Sequence, residues 1–488
     1  MSAADIPAAG AAAPRGTTAT AGASGAGRPS ARGLRLTWVQ PEDLLPHELA
    51  ASRDEGRDVG DLADRWAAAG GDVTAPVSGA SPAPASPELR ALAVELLDDA
   101  EARPAPYTGS EPADLDAVRE SWPDGWPLPT RADRDRLHGA WLGRAAGCLL
   151  GKPVEKIPRH GIREILSATG RWPLRDWFTA QGLPAEVGAR WPWNRRSAPT
   201  SLAENIAGMP EDDDLNFALL ALRVLETHGP GFTSADVAQA WLDWLPAGRV
   251  FTAERVAYRN LLLGLTPPDT ARRHNPFREW IGAQIRTDVY GWTNPGRPDR
   301  AAEAAWRDAA VSHVRAGAYG AIWVAALAAA APVAGGVDEV LDAGESVLPP
   351  GSRFTAAIRE ARALGAGRDD WESIVDTLYA RHGHLHWVHV RNNAALVAAA
   401  LAYGRGDLER SICAVVSGGW DTDSNGATVG AVTGALTGAA GLPDRWVAPL
   451  RNRLASSIAG FDGIGFDELA DRTLALAEAF ATTDAGVV

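Results

Sequence analysis

Apolar side chains recur every three or four positions in a succession of segments from residue 131 onward, the spacing that lines one face of an α-helix. The pattern predicts helices over 133–151, 213–228, 234–245, 252–264, 300–315, 316–331, 370–381, 391–403, 407–417, 425–440 and 466–481. Clusters of Gly, Pro, Asn and Asp separate them. No stretch alternates apolar and polar positions for long enough to predict a strand. The fold class read from this pattern is all-α.

Upstream the pattern thins. Residues 1–33 are Ala, Gly, Ser, Thr and Pro with several Arg, and lack the bulky apolar stretch of a secretory signal. They read as a disordered tail, with an organelle transit peptide as the alternative. Residues 34–130 read as an N-terminal helical extension with Pro-rich linkers. It has helical periodicity in the second half of 34–71 and an amphipathic helix around 87–102. The run 316–336 is uncharged, but it is mostly Ala and Gly and contains Pro332. It predicts a buried helix ending near the proline, not a membrane span.

Composition narrows the classes of function. Hydrophobic residues make up 46% of the 488 positions, enough to build a large core without disulfides or structural zinc. Cys148 and Cys413 are the only cysteines, both inside apolar helical patterns, and a reducing cytoplasm is the expected compartment. A net charge of −14 argues against general binding to nucleic-acid backbones or anionic membranes.

Two predicted helices carry glycine at every fourth position: Gly139, Gly143, Gly147 and Gly151 in the first, Gly426, Gly430, Gly434 and Gly438 in the second. Each interior glycine costs about 1 kcal/mol relative to Ala, so helix propensity does not account for them. Residues four apart share a face, and a glycine stripe lets another backbone approach closely. Short runs and Arg144 rule out the membrane form of this motif. The stripes predict two closely packed central helices.

Acidic residues gather at the ends of these elements. Glu155 follows the first glycine helix in "GKPVEKIP", and "WDTDSNG" precedes the second. Glu211, Asp212, Asp213 and Asp214 run into a strongly apolar helix. One acid there suffices for an N-cap and a second for the helix dipole; four in succession repel one another unless cations bind. Asp421, Asp423, Asn425 and Gly426 match the start of an EF-hand loop, but its twelfth position is Val432 where a bidentate Glu is required. Capping by Asp423 or Ser424 leaves Asp421 unexplained. The oxygen-rich set suits Mg²⁺ or Mn²⁺ better than zinc.

In order and spacing, "GAWLGRAAGCLLGKPVE", "EDDDLNFALLAL" and "SICAVVSGGWDTDSNGATVGAVTGALTGAAGLPDRW" resemble three motifs of the ADP-ribosylglycohydrolase family. The resemblance runs from about 137 to 480. It implies a single large multi-helix orthogonal bundle over 131–484 as the catalytic domain, and two Mg²⁺ or Mn²⁺ ions. It implies Glu211, Asp212, Asp213, Asp421, Asp423 and Ser424 as metal-binding residues, with Glu155, Asp212 and Asp423 catalytic. "SHVRAGAYG" is similar to a segment contacting ADP-ribose, which implies His313, Gly317 and Tyr319. Asp288 is a further candidate for a substrate hydroxyl. Three departures stand out: Cys148 where many members have Asp, and Glu211 and Asp214 where the family has Thr.

The expected activity is hydrolysis at C1 of the distal ribose of an ADP-ribosylated protein or other ADP-ribose conjugate, by a monomer. A non-catalytic ADP-ribose reader and a two-metal phosphohydrolase are the alternatives. His382, His384, His386 and His389 read as surface or supporting residues in preference to a metal site. The aromatics of 275–292 read as core in preference to an adenine platform, and 171–196 as a loop over the site.

Overall fold

A helix with glycine at every fourth position needs a partner close enough to use the gap. In the computed structural model, which describes residues 35–485 apart from 78 and 132, Arg134–Gly151 finds that partner in Thr422–Thr437. The two helices run antiparallel. A Cβ on Gly139 would lie 2.8 Å from the carbonyl carbon of Gly438, one on Gly143 2.9 Å from that of Gly430, and one on Gly147 2.5 Å from that of Gly426. The relation is reciprocal, since a Cβ on Gly430 would lie 2.8 Å from the carbonyl carbon of Gly143. Gly438 differs, ending its helix at φ +78.

Helices pack around this pair. Asp213–His228, Ala316–Ala330 and Val390–Gly404 lie in the core, and Ala316–Ala330 is buried on every face, as its all-round apolar sequence requires. No helix among the described residues is long and apolar enough to cross a membrane. Among the described residues there are no strands, only isolated bridges such as Met209 with Leu454. Asp213–His228 begins and ends where the periodicity predicts. Thr422–Thr437 begins three residues earlier than predicted, so Asp423 and Ser424 lie inside its first turn instead of capping it. Helices Arg159–Ala168, Val337–Ser346 and Arg353–Gly367 were not anticipated.

The expected tail over 1–33 lies outside the described residues. The extension contributes helices Pro41–Asp54, Gly60–Ala68 and Pro87–Ala102. Their apolar residues, among them Leu44, Leu45, Trp66 and Leu96, form one cluster with Phe277, Trp280, Ile285 and Val388. Trp38 meets Phe277 edge-on at 5.3 Å. Buried Arg278 donates from Nε to Glu55 at 2.8 Å and from Nη1 to Glu48 at 2.7 Å. The extension has no core of its own; it shares this one.

Candidate metal centre

The glycine ladder brings the C-terminal end of one helix against the N-terminal end of the other. Thr422 Oγ1 donates to the carbonyl of Gly151 at 2.8 Å. Lys152–Val154 then form a single 3₁₀ turn, followed by Glu155. Across from it, Gly419 at φ +83 and Trp420 at φ +57 reverse the chain into Asp421. Stacking of Trp420 on Tyr379 at 4.3 Å holds that left-handed turn in place. The Asp421 N–H donates to Asn393 Oδ1 at 3.1 Å, and its carboxylate makes no capping bond.

The third arm is the start of Asp213–His228. Asp212 is its N-cap, with Oδ1 accepting from the Asp214 N–H at 3.0 Å. Arg144, fully buried in the first glycine helix, donates to the Asp214 carbonyl at 2.7 Å and to Asp288 at 2.9 Å. Two further side-chain contacts join the arms: Ser424 Oγ donates to Asp214 Oδ2 at 3.2 Å, and the Lys152 ammonium is ion-paired with Asp212.

Glu155, Glu211, Asp212, Asp213, Asp421, Asp423 and Ser424 all border one cavity of about 890 Å³. Asn194 donates to Glu155 Oε2 at 2.5 Å and Lys156 pairs with it at 3.2 Å. Arg249 pairs with Glu211 at 3.3 Å. The extension adds Thr37 and Trp38 to the wall, alongside Phe251 and Trp387, with Arg195 and Arg196 nearby. The segment 171–196 reaches the cavity only through its last residues.

Negative charge is in excess here. Burial pushes the Asp423 carboxyl up to about 7, with repulsion from Glu155 and Asp212 adding to it. Burial, and then neighbouring carboxylates, push Asp213, Asp214 and Asp421 well above the usual range. At Asp212 burial acts the same way, but the Lys152 ammonium and hydrogen bonds from Lys152 and Asp214 together hold the carboxyl low. Asp214 Oδ1 is buried without a hydrogen-bond partner. A hard divalent cation would relieve this repulsion, and the oxygen donors fit one. Cys148 Sγ lies among Asp212 and Asp214, but burial and then those acids push its thiol well above the ordinary value, so it stays protonated.

The four residues expected at the substrate lie elsewhere. Asp288 is buried against Arg144. His313 is fully enclosed, its Nδ1 2.7 Å from Ser312 Oγ. Gly317 packs on the backbone of Arg278, and Tyr319 donates its hydroxyl to Pro112 of the extension at 2.5 Å. None borders the cavity. His386 stacks on Trp280 at 4.2 Å, and His389 caps Val390–Gly404. Tyr290 donates to Asp308 at 2.7 Å, consistent with a core role. Lys152, Asp214, Arg144 and Asn194 are additions to the expected set. Arg144 had a signal, the one charge within an otherwise small and apolar helix interior; Trp38 had none.

The ADP-ribosylglycohydrolase family matches this chain over residues 129–485, well over half its length. A solved structure described as an ADP-ribosylglycohydrolase-related protein complex is similar at a TM-score of 0.44 and 21% identity, covering 71% of this chain and 98% of its own. No match was found among curated proteins. The match across both glycine helices and all three acidic arms makes the conclusion direct: the chain belongs to the ADP-ribosylglycohydrolase family.

Proposed function

We propose that the protein is a divalent-metal-dependent hydrolase that frees ADP-ribose by cleaving the bond between C1 of the distal ribose and an amino-acid nitrogen or oxygen. The observation that carries this reading is the convergence of three acidic element ends on one cavity, within a chain of this family. Asp213, Asp421, Asp423 and Ser424 are the residues that would hold Mg²⁺ or Mn²⁺, with Glu211 at the edge and Asp212 paired to Lys152. The metal would supply Lewis acidity toward the ribose hydroxyls and toward a water.

The chain's own groups do the rest. Glu155 sits on a turn after the helix, steadied by Asn194 and Lys156. It takes the proton from the attacking water as the water oxygen bonds to C1, and returns a proton to the departing acceptor atom. Positive charge developing on the ribose is met by the surrounding carboxylates. Trp38, Phe251 and Trp387 offer flat apolar faces for a base, and Arg195, Arg196 and Arg249 offer cations for a diphosphate.

The test is a panel of ADP-ribose conjugates linked through Arg, Ser and nucleic acid, incubated with Mg²⁺ or Mn²⁺, with free ADP-ribose measured. Release from at least one, dependent on metal, supports the reading. Release of inorganic phosphate instead would favour a phosphohydrolase. The Lys152–Asp212 ion pair favours one second reading, a binder without turnover. Binding of ADP-ribose with no release from any conjugate would establish it.

A further inference from the structure

We propose that the Lys152 ammonium fills one of the two cation positions of the acidic centre, so that the chain takes one divalent metal instead of two. The inference rests on the metal-centre reading above. Lys152 stands between Gly151, locked to Thr422, and Pro153, whose carbonyl accepts from the Asn194 N–H at 3.0 Å. The side chain itself is only 7% exposed, and its ammonium reaches both Asp212 and the carbonyl of Glu211, the latter at 3.3 Å.

Asp212 is thereby used at both oxygens: Oδ1 caps the helix and Oδ2 meets Lys152. A divalent ion seated on Asp212 would have to displace an ammonium from a carboxylate or sit beside a like charge. On the other side of the centre Lys156 is paired with Glu155. Asp213, Asp421 and Asp423 border the cavity with Ser424. Asp421 makes no capping bond, and among the described residues these three carboxylates have no Lys or Arg ion pair. Those oxygens, with the Ser424 hydroxyl, are the hard donors left facing the cavity for one cation, whose shell water would complete. The ammonium then does at one position what a metal would do electrostatically, without offering a site for water.

The experiment loads the full chain with Mn²⁺ alone. It counts bound Mn²⁺ by elemental analysis after gel filtration and records the electron paramagnetic resonance spectrum. The parent should hold one Mn²⁺ per chain with a six-line mononuclear signal. Lys152→Met, which keeps the apolar stem, should hold two with an exchange-coupled signal. Lys152→Ala serves as a second variant if the first does not fold. Two ions in the parent would overturn the proposal, as would one ion in both parent and variant. The latter result leaves the metal centre itself intact. No bound ion in either would sink the metal-centre reading and the proposal with it.

Discussion

Gly143 and Gly430 meet backbone to backbone: a Cβ on either would lie within 2.9 Å of the other's carbonyl carbon. Gly143→Ala gains about 1 kcal/mol of helix propensity. Against that stands overpacking of about 1–3 kcal/mol or more, at the upper end here because the obstacle is backbone that cannot rotate away. The expected result is a net destabilisation, read as a lower urea midpoint, with weakened Mn²⁺ binding as the arms separate. A variant as stable as the parent would show that the helices can part without cost.

Removing a carboxylate from the centre should act on metal before it acts on anything else. Asp423→Asn and Asp213→Asn are expected to weaken Mn²⁺ binding on the order of 10²-fold or more, since even groups behind a ligand are worth roughly 10–100-fold. Titration calorimetry with Mn²⁺ measures this. Full affinity in both variants would remove them from the ligand set.

Glu155 is expected to separate binding from turnover. It lies on a turn, held by Asn194 and Lys156, not within either glycine helix. Glu155→Gln should lower kcat for ADP-ribose release by roughly 10²–10⁴-fold while Mn²⁺ affinity changes little. Equal losses of metal and rate would instead make Glu155 a ligand.

Under the extension, burial pushes the Glu279 carboxyl up to about 8, with Glu55, Glu111 and Asp54 adding repulsion and Arg391 opposing it. The unfolded chain releases this proton near an ordinary value of about 4.3. Between those pH values the folded state holds a proton that the unfolded state has lost. The Glu279 contribution to stability therefore falls as pH rises toward 8 and is constant above it, with a slope of at most about 1.4 kcal/mol per pH unit. Glu279→Gln should remove that slope. Its urea midpoint is expected to gain on the parent's between pH 5.5 and 8.5, and parallel profiles would refute the assignment.

The all-α fold was legible because helices such as Asp213–His228 and Ser234–Trp244 carry unbroken periodicity between strong breakers. The acidic arms were legible for a different reason. Four acids before an apolar helix exceed what capping needs, and glycine at every fourth position marks close approach. Lys152 was not legible as part of the centre, because only the geometry of Gly151 and Thr422 turns its side chain toward Asp212. Two of the residues expected at the substrate, Gly317 and Tyr319, pack where sequence alone gives no sign of a neighbour. The extension covers the surface around Tyr319 and Gly317, and that cover is set by long-range packing of Leu44, Trp66 and Leu96 on Phe277 and Trp280, which local sequence does not announce. The start of Thr422–Thr437 was missed because Trp420 and Gly419 carry the turn, leaving Asp421 free of a capping bond.

The contact between Gly151 and Thr422 spans 271 positions of the chain. At a synthesis rate of about 5–20 residues per second, the first glycine helix waits on the order of ten seconds or more before its partner leaves the ribosome. Through that interval its glycine face is uncovered, and Glu155 lacks Asp421 and Asp423 across from it. The centre is among the last features of the molecule to come into being, so a chain stalled or cut before residue 421 carries Glu155 and the Glu211–Asp214 run without the helix that turns them into a site.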